Sequence, residues 1–283
     1  MNFKALKHFF VREIAGYFDP QEAEALFYMA VEKISGWGWS KVMLSNQVLL
    51  KLGEFQLYQD VIKQLQLGKP IQYIFNEAHF YGLTFSVSPA VLIPRAETEE
   101  LVDWILQTIL PTHQNGDLLD IGTGSGCIAI SLKKHLKEWN VFALDISAEA
   151  LAIATLNAEK NKVAVQFIAA DVLEYNSHQK FELIVSNPPY IKENEKDAMH
   201  ANVMEYEPHQ ALFVSNENPL IFYNTIADFA QQNLNKNGYL FFEINEYLGR
   251  QTVALLAAKG FIHIVLKKDM QGKDRMICCR VAG

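Results

Sequence analysis

The chain has 283 residues, half of them apolar and 20% charged, enough for one large domain and a smaller one with a sizeable core. Its formal charge of −7 argues against a general binder of nucleic acid or of membrane surfaces. Three cysteines, Cys127, Cys278 and Cys279, have neither the number nor the spacing of a disulfide framework or a metal site. With no signal-peptide pattern at Met1-Asn2-Phe3-Lys4 and no apolar run of bilayer length, a cytoplasmic location is expected.

Residues 1–73 read as a small all-helical domain. Asp19-Pro20-Gln21-Glu22 is a helix start, with Asp19 as the cap and Pro20 in the first turn. Ala23, Leu26, Phe27, Ala30, Val31 and Ile34 follow at helical spacing, and Gly36 stops the run. A second helix is predicted from Glu54 to Leu67. Eight Lys/Arg against seven Asp/Glu leave this segment without a basic stripe, and it carries no catalytic group of its own. Trp37 and Trp39 fit packing between helices or contact with a partner. Residues 74–96 form a connector in which His79 to Val87, with Gly82 inside, predicts a β-hairpin. Arg95 and Glu97 then sit in a Pro-punctuated turn, where a surface ion pair and a place in a pocket are equally good readings.

From residue 97 to 283 the pattern is α/β. Strand and helix alternate after Asp117, which implies a parallel sheet covered by helices. The strand ending Asp120-Ile121 enters the turn Gly122-Thr123-Gly124-Ser125-Gly126 and then a helix. Such a turn lets backbone approach a ligand at a helix N-terminus, and its spacing differs from the G-x-G-x-x-G of dinucleotide enzymes. Cys127 after it reads as a small packed residue. The next strand ends at Asp145-Ile146, and Asp145 suits ribose hydroxyls or a helix cap, a job Ser147 does as well. A third strand, Val163 to Ile168, leads to Asp171-Val172, and a fourth, Phe181 to Ser186, to Asn187-Pro188-Pro189-Tyr190. Four strand ends carrying Asp120, Asp145, Asp171 and Asn187 make a ligand crevice.

The last of these turns suits a flat amino group on a π system. The Asn187 side-chain carbonyl and the Pro188 backbone carbonyl can accept both N–H bonds of an –NH2 group, while the Tyr190 ring covers its face. Residues 192–218 read as one long polar loop, a lid or binding loop. A helix to Asn235, a turn at Asn237-Gly238 and the strand Tyr239–Ile244 follow. The final two strands, Ile262–Leu266 and Met276–Val281, are joined closely enough to be antiparallel.

Taken together, Leu92-Ile93-Pro94-Arg95-Ala96-Glu97-Thr98-Glu99, Asp120 to Gly126, Asp145-Ile146-Ser147, Asn187 to Ile191, Tyr206-Glu207-Pro208 and Lys268-Asp269 with Asp274-Arg275 resemble one family. It is the release factor glutamine methyltransferases, within the class I S-adenosylmethionine-dependent methyltransferases. The resemblance implies a Rossmann-like, seven-stranded, mostly parallel sheet with a final antiparallel pair. It implies S-adenosyl-L-methionine along Asp120 and Gly122, Thr123, Gly124, Ser125 and Gly126, with Asp145 and Ile146 at the ribose and Asp171 with Val172 at the adenine. Arg95 and Asn187 would also border the cofactor, and Asn187, Pro188, Pro189 and Tyr190 would hold the substrate glutamine. No metal is expected. The implied substrate is the glutamine of the Gly-Gly-Gln loop of peptide chain release factors, docked by the helical domain. Two rival readings are an adenine-N6 methyltransferase on DNA or RNA, which the acidic balance disfavours, and a binding protein without turnover, which an intact Asn187 turn disfavours.

Overall fold

A computed structural model describes residues 1–44, 47–198 and 201–282. The chain begins with α1 (Phe3–Ile14), α2 (Pro20–Ser35), α3 (Trp39–Leu44), α4 (Glu54–Gln66) and α5 (Ile71–Phe75). The hairpin β1 (Glu77–Phe80) and β2 (Leu83–Ser86) leads to α6 (Ala96–Ile109). Then come β3 (Asp117–Ile121), α7 (Cys127–His135), β4 (Asn140–Asp145), α8 (Ala148–Asn161), β5 (Gln166–Ala169) and β6 (Phe181–Ser186). A short stretch holds β7 (Ile191–Lys192), a 3-10 turn (Glu193–Ala198), α9 (Ala201–Tyr206), α10 (His209–Leu212) and β8 (Phe213–Val214). The end is α11 (Ile221–Asn233), β9 (Leu234–Glu243), α12 (Gly249–Ala258), β10 (Ile262–Lys268) and β11 (Asp274–Arg280).

Two compact units result: Met1–Asn76 with His200–Tyr206, and Glu77–Met199 with Glu207–Gly283. In the first, the apolar faces of α1, α2 and α4 meet around Phe10, Phe27 and Tyr58, all fully buried. Asp19 caps α2 by accepting from the Gln21 and Glu22 amides, and Gly36 ends it at a φ of 68°. Trp37 stacks on Phe3 with ring centroids 4.8 Å apart, while Trp39 is 59% exposed. α9 belongs to this unit, where the Tyr206 hydroxyl donates to the Leu67 carbonyl at 2.9 Å.

The second unit is built on a seven-stranded sheet in the order β10-β11-β9-β6-β3-β4-β5. Only β11 runs antiparallel to its neighbours, as the short link before it requires. Alternation along each strand sorts the core into two faces. Leu118, Val141, Ala143, Leu183, Val185 and Phe241 pack with α6 and α7 on one side. Leu119, Ile121, Phe142, Leu144, Ile184 and Phe242 pack with α11 and α12 on the other. Because β3 and β4 run outward in one direction and β6 returns on the other side of β3, the strand order reverses between β3 and β6. Ligands of open α/β sheets sit at such a reversal, outside the carboxyl ends of the strands.

Three expectations need correction. The third strand starts later, at Gln166, so Val163 to Val165 lie outside it; only β4 flanks this edge strand. β9 begins already at Leu234, and the Asn237-Gly238 turn is an irregularity within it, with Asn237 at a φ of 62°. The stretch 192–218 is not one loop: it contains a 3-10 turn, two short helices and the β7–β8 pair. Its residues 199 and 200 lie outside the described residues.

Candidate active site

The turn after β3 is held by its own backbone. The amides of Gly122 and Thr123 both donate to the Leu144 carbonyl, at 2.8 and 3.0 Å, and the Gly126 amide donates to Thr123 at 2.8 Å. Gly122, Gly124 and Gly126 all have positive φ, 74°, 54° and 81°, a region costly to side chains. They differ in what a side chain would meet. A Cβ on Gly124 has nothing within 4 Å, whereas one on Gly126 would lie 2.8 Å from Ile130 Cδ1 and 3.2 Å from Ala154 Cβ.

Two aspartates brace this turn. Asp145 accepts from the Gly124 amide at 2.8 Å and from the Ser147 amide at 2.9 Å, while Ser147 itself caps α8. Asp120 is wholly buried, and one of its oxygens, Oδ2, accepts from the Thr123 hydroxyl at 2.6 Å and the Ala129 amide at 3.2 Å. Its other oxygen, Oδ1, has no partner among the described residues. Burial pushes the Asp120 carboxyl up to about 7, against the pull of those two donors. Burial likewise pushes the Cys127 thiol up to about 12, which makes it a poor nucleophile.

The turn after β6 is fixed beside the first. The Ser186 hydroxyl donates to the Ile121 carbonyl at 2.7 Å, tying the two strand ends together. Beyond it the prolines offer no amide donors, so side chains hold the turn. The Asn187 Nδ2 group donates to Thr98 Oγ1 at 3.4 Å. The Tyr190 hydroxyl donates to Glu243 at 3.2 Å, and the Tyr190 carbonyl accepts from Asn245 at 3.1 Å. Glu243 is 1% exposed, and burial raises its carboxyl above the usual range.

Both turns open into one cavity of about 470 Å³, within the range of small-ligand sites. Gly122, Thr123, Gly124, Ser125, Asp145, Ile146, Asp171, Val172, Arg95, Asn187, Pro188 and Pro189 line it. Asp120, Gly126 and Tyr190 are not on its wall: Asp120 and Gly126 lie beneath the first turn, and the Tyr190 phenol turns toward Glu243. Arg95 pairs not with Glu97 but with the buried Glu207, at 2.6 Å, and Glu207 also reaches the Ile93 amide. Among the described residues, no cluster of His, Cys, Asp or Glu could hold a metal ion, and no helix is long and apolar enough to cross a membrane.

A family model described as the methyltransferase small domain matches residues 102–270. The chain is 49% identical over 273 residues to the release factor glutamine methyltransferase of Flavobacterium psychrophilum, covering 95% of each chain. It is 42% identical over 265 residues to that of Bacteroides thetaiotaomicron, covering 92% of this chain and 93% of the other. The chain belongs to the release factor glutamine methyltransferase family. The fold is also similar to a methyltransferase from Pyrococcus furiosus, with a TM-score of 0.54 at 18% identity over 80% of this chain and 100% of that one. A Thermus thermophilus 16S rRNA methyltransferase, solved with AdoMet and guanosine, gives 0.52 at 16% identity over 72% of this chain and 49% of that one. At such identities the likeness concerns fold alone.

Four side chains of this methyltransferase support the site in roles that the sequence does not assign: Thr98 and Glu207 stand within its motifs, but without a partner. Thr98, which itself lines the cavity, and Glu243 hold Asn187 and Tyr190, and Glu207 anchors Arg95. Asn157, wholly buried in α8, donates to the carbonyls of Ser125 and Ser86 and so joins the glycine turn to the hairpin. An asparagine inside an Ala-rich helix, on its apolar face, was the one available hint.

Proposed function

We infer that this methyltransferase transfers a methyl group from S-adenosylmethionine to the side-chain amide nitrogen of a glutamine, the one in the Gly-Gly-Gln motif of peptide chain release factors. The observation that carries the reading is the meeting, in one cavity, of the glycine turn and the Asn187-Pro188-Pro189 turn. The family's name supplies the substrate class.

The donors and acceptors present fit the cofactor. Asp145 keeps lone pairs beyond the two amides it accepts from, as ribose hydroxyls need. The open space over Gly124 allows close backbone approach. Val172 and Leu173 give an apolar wall, and Asp171 an acceptor, for a purine. Bound there, S-adenosylmethionine would supply a methyl group already activated by a sulfonium.

The remaining task for the protein is to prepare a poor nucleophile. An amide nitrogen shares its lone pair with its carbonyl. Asn187 Oδ1 and the Pro188 carbonyl would accept its two N–H bonds, fix it in line, and favour the pyramidal nitrogen that becomes positive as the bond forms. No base has to act first, since alkylation makes the remaining protons acidic.

Incubating a release factor with the enzyme and labelled cofactor, then mapping the product by mass spectrometry, tests this. A single added methyl on that glutamine is expected. An unmodified factor beside methylated nucleic acid would overturn the reading in favour of an adenine methyltransferase.

A further inference from the structure

Behind Asn187 lies a buried polar chain that the transfer just described does not use. Thr98, in the first turn of α6, is 3% exposed, and Glu243, at the end of β9, is 1% exposed. The Thr98 hydroxyl donates to Glu243 Oε2 at 2.7 Å, while the Tyr190 hydroxyl donates to Oε1 of the same carboxylate at 3.2 Å. Both carboxylate oxygens are therefore engaged. The two hydroxyl donors and the charge of Arg275 offset part of the cost of burying this carboxyl.

The consequence follows from counting hydrogens. A threonine hydroxyl has one, and here it points at Glu243 Oε2. With that hydrogen committed to Glu243, Thr98 Oγ1 offers only lone pairs to Asn187, whose Nδ2 lies 3.4 Å away. Oxygen and NH2 ends of an asparagine amide have nearly the same shape, so hydrogen bonds alone decide which way it faces. Only the NH2 end can meet Thr98, and Oδ1 is left for the cavity that Asn187 lines.

We infer that Thr98 and Glu243 are positioning residues: they lock the Asn187 amide with its carbonyl toward the acceptor nitrogen. A flipped amide would set its own N–H donors against the N–H groups of the substrate, turning an attraction into a repulsion. The inference rests on the glutamine-transfer reading for its effect on rate, though the orientation it assigns exists without substrate.

Three variants and one spectrum test it. Thr98→Val keeps the shape and removes the hydroxyl; kcat should fall roughly tenfold, as when a buried partner is lost, with cofactor affinity changing much less although Thr98 touches the cavity wall. Thr98→Ser should restore most of kcat. In an Asn187→Ala background, Thr98→Val should add nothing, since a residue acting through Asn187 has nothing left to orient. An additive loss would mean a merely structural role and overturn the inference. The full-length 15N-labelled protein gives a readout that needs no turnover and no Thr98 variant. The Asn187 side-chain NH2 protons, assigned by their absence in Asn187→Ala, should exchange more slowly than those of exposed asparagines. Fast exchange in the wild type would overturn the inference, and so would wild-type kcat in a folded Thr98→Val. A wild-type enzyme that leaves glutamine unmodified while those protons stay protected would instead overturn the glutamine reading alone.

Discussion

The two turns that face the cavity are held in opposite ways. The turn after β3 is braced by main-chain hydrogen bonds to Leu144 and Thr123 and by Asp120 and Asp145, partners at most 22 residues away along the chain, with Asn157, 32 residues from Ser125, a more distant support. The turn after β6 has two prolines and no such ladder. Its polar groups are held by Thr98, Glu243 and Asn245, at separations of 89, 53 and 55 residues. A cradle of backbone keeps its shape as long as the local chain does, and suits a cofactor that is always the same. Side chains gathered from α6 and β9 can aim a single amide, which is what a reaction with one demanding direction requires.

The sharpest way to break this contrast is to remove the aimed group. Asn187→Ala should lower kcat on the order of a hundredfold or more, while cofactor affinity stays nearly unchanged. Equal losses in kcat and cofactor affinity would mean that the two turns do not work separately.

On the other side, Asp145→Ala strips the glycine turn of the acceptor for the Gly124 and Ser147 amides. Titration calorimetry should show cofactor binding weakened by about 1–3 kcal/mol. Methyl transfer at saturating cofactor should be much less affected. Unchanged affinity would remove Asp145 from the site.

Within the glycine turn the contrast can be sharpened further. Gly126→Ala forces a Cβ against Ile130 and Ala154 at a φ of 81°, so thermal unfolding should show a stability loss of about 1–3 kcal/mol. Gly124→Ala meets nothing and carries only the backbone strain of about 1–2 kcal/mol, but it occupies the open side. It should therefore lose more cofactor affinity, and less stability, than the Gly126 variant. The reverse ranking would place Gly124 in the packing rather than against the ligand.

The same contrast explains what could be read from the sequence. The glycine turn, the strands around it and the caps at Asp19 and Ser147 are local, written in spacings of a few residues. The Asn187 turn was legible because its four residues are contiguous. Its support was not: Thr98 and Glu243 are 145 residues apart and meet only once the sheet has ordered β9 beside β6 and laid α6 against it. For Arg95 the sequence leaves a surface ion pair and a place in a pocket equal; the fold puts it on the cavity wall, held by Glu207 from 112 residues away. The stretch 192–218 failed for a related reason. Helices of four and six residues and a two-residue strand pair are too short to show a period, and β7 and β8 are strands only because each has the other.

Asp120 offers the finest test, since burial brings its titration near neutrality. Its carboxyl lies at about 7, raised first by burial and further by the charge of Asp145, against the Thr123 and Ala129 donors. A carboxyl raised in the folded state contributes stability below its ordinary range, and that contribution is lost as pH rises through about 7. Without ligand, ionising Asp120 is thus unfavourable. Thermal stability should therefore fall as pH rises toward about 7 and level off above it. In Asp120→Asn that fall should shrink, because the group that titrates is gone. An undiminished fall in that variant would assign the proton to another group, and a flat wild-type profile would mean that Asp120 is ionised throughout the range.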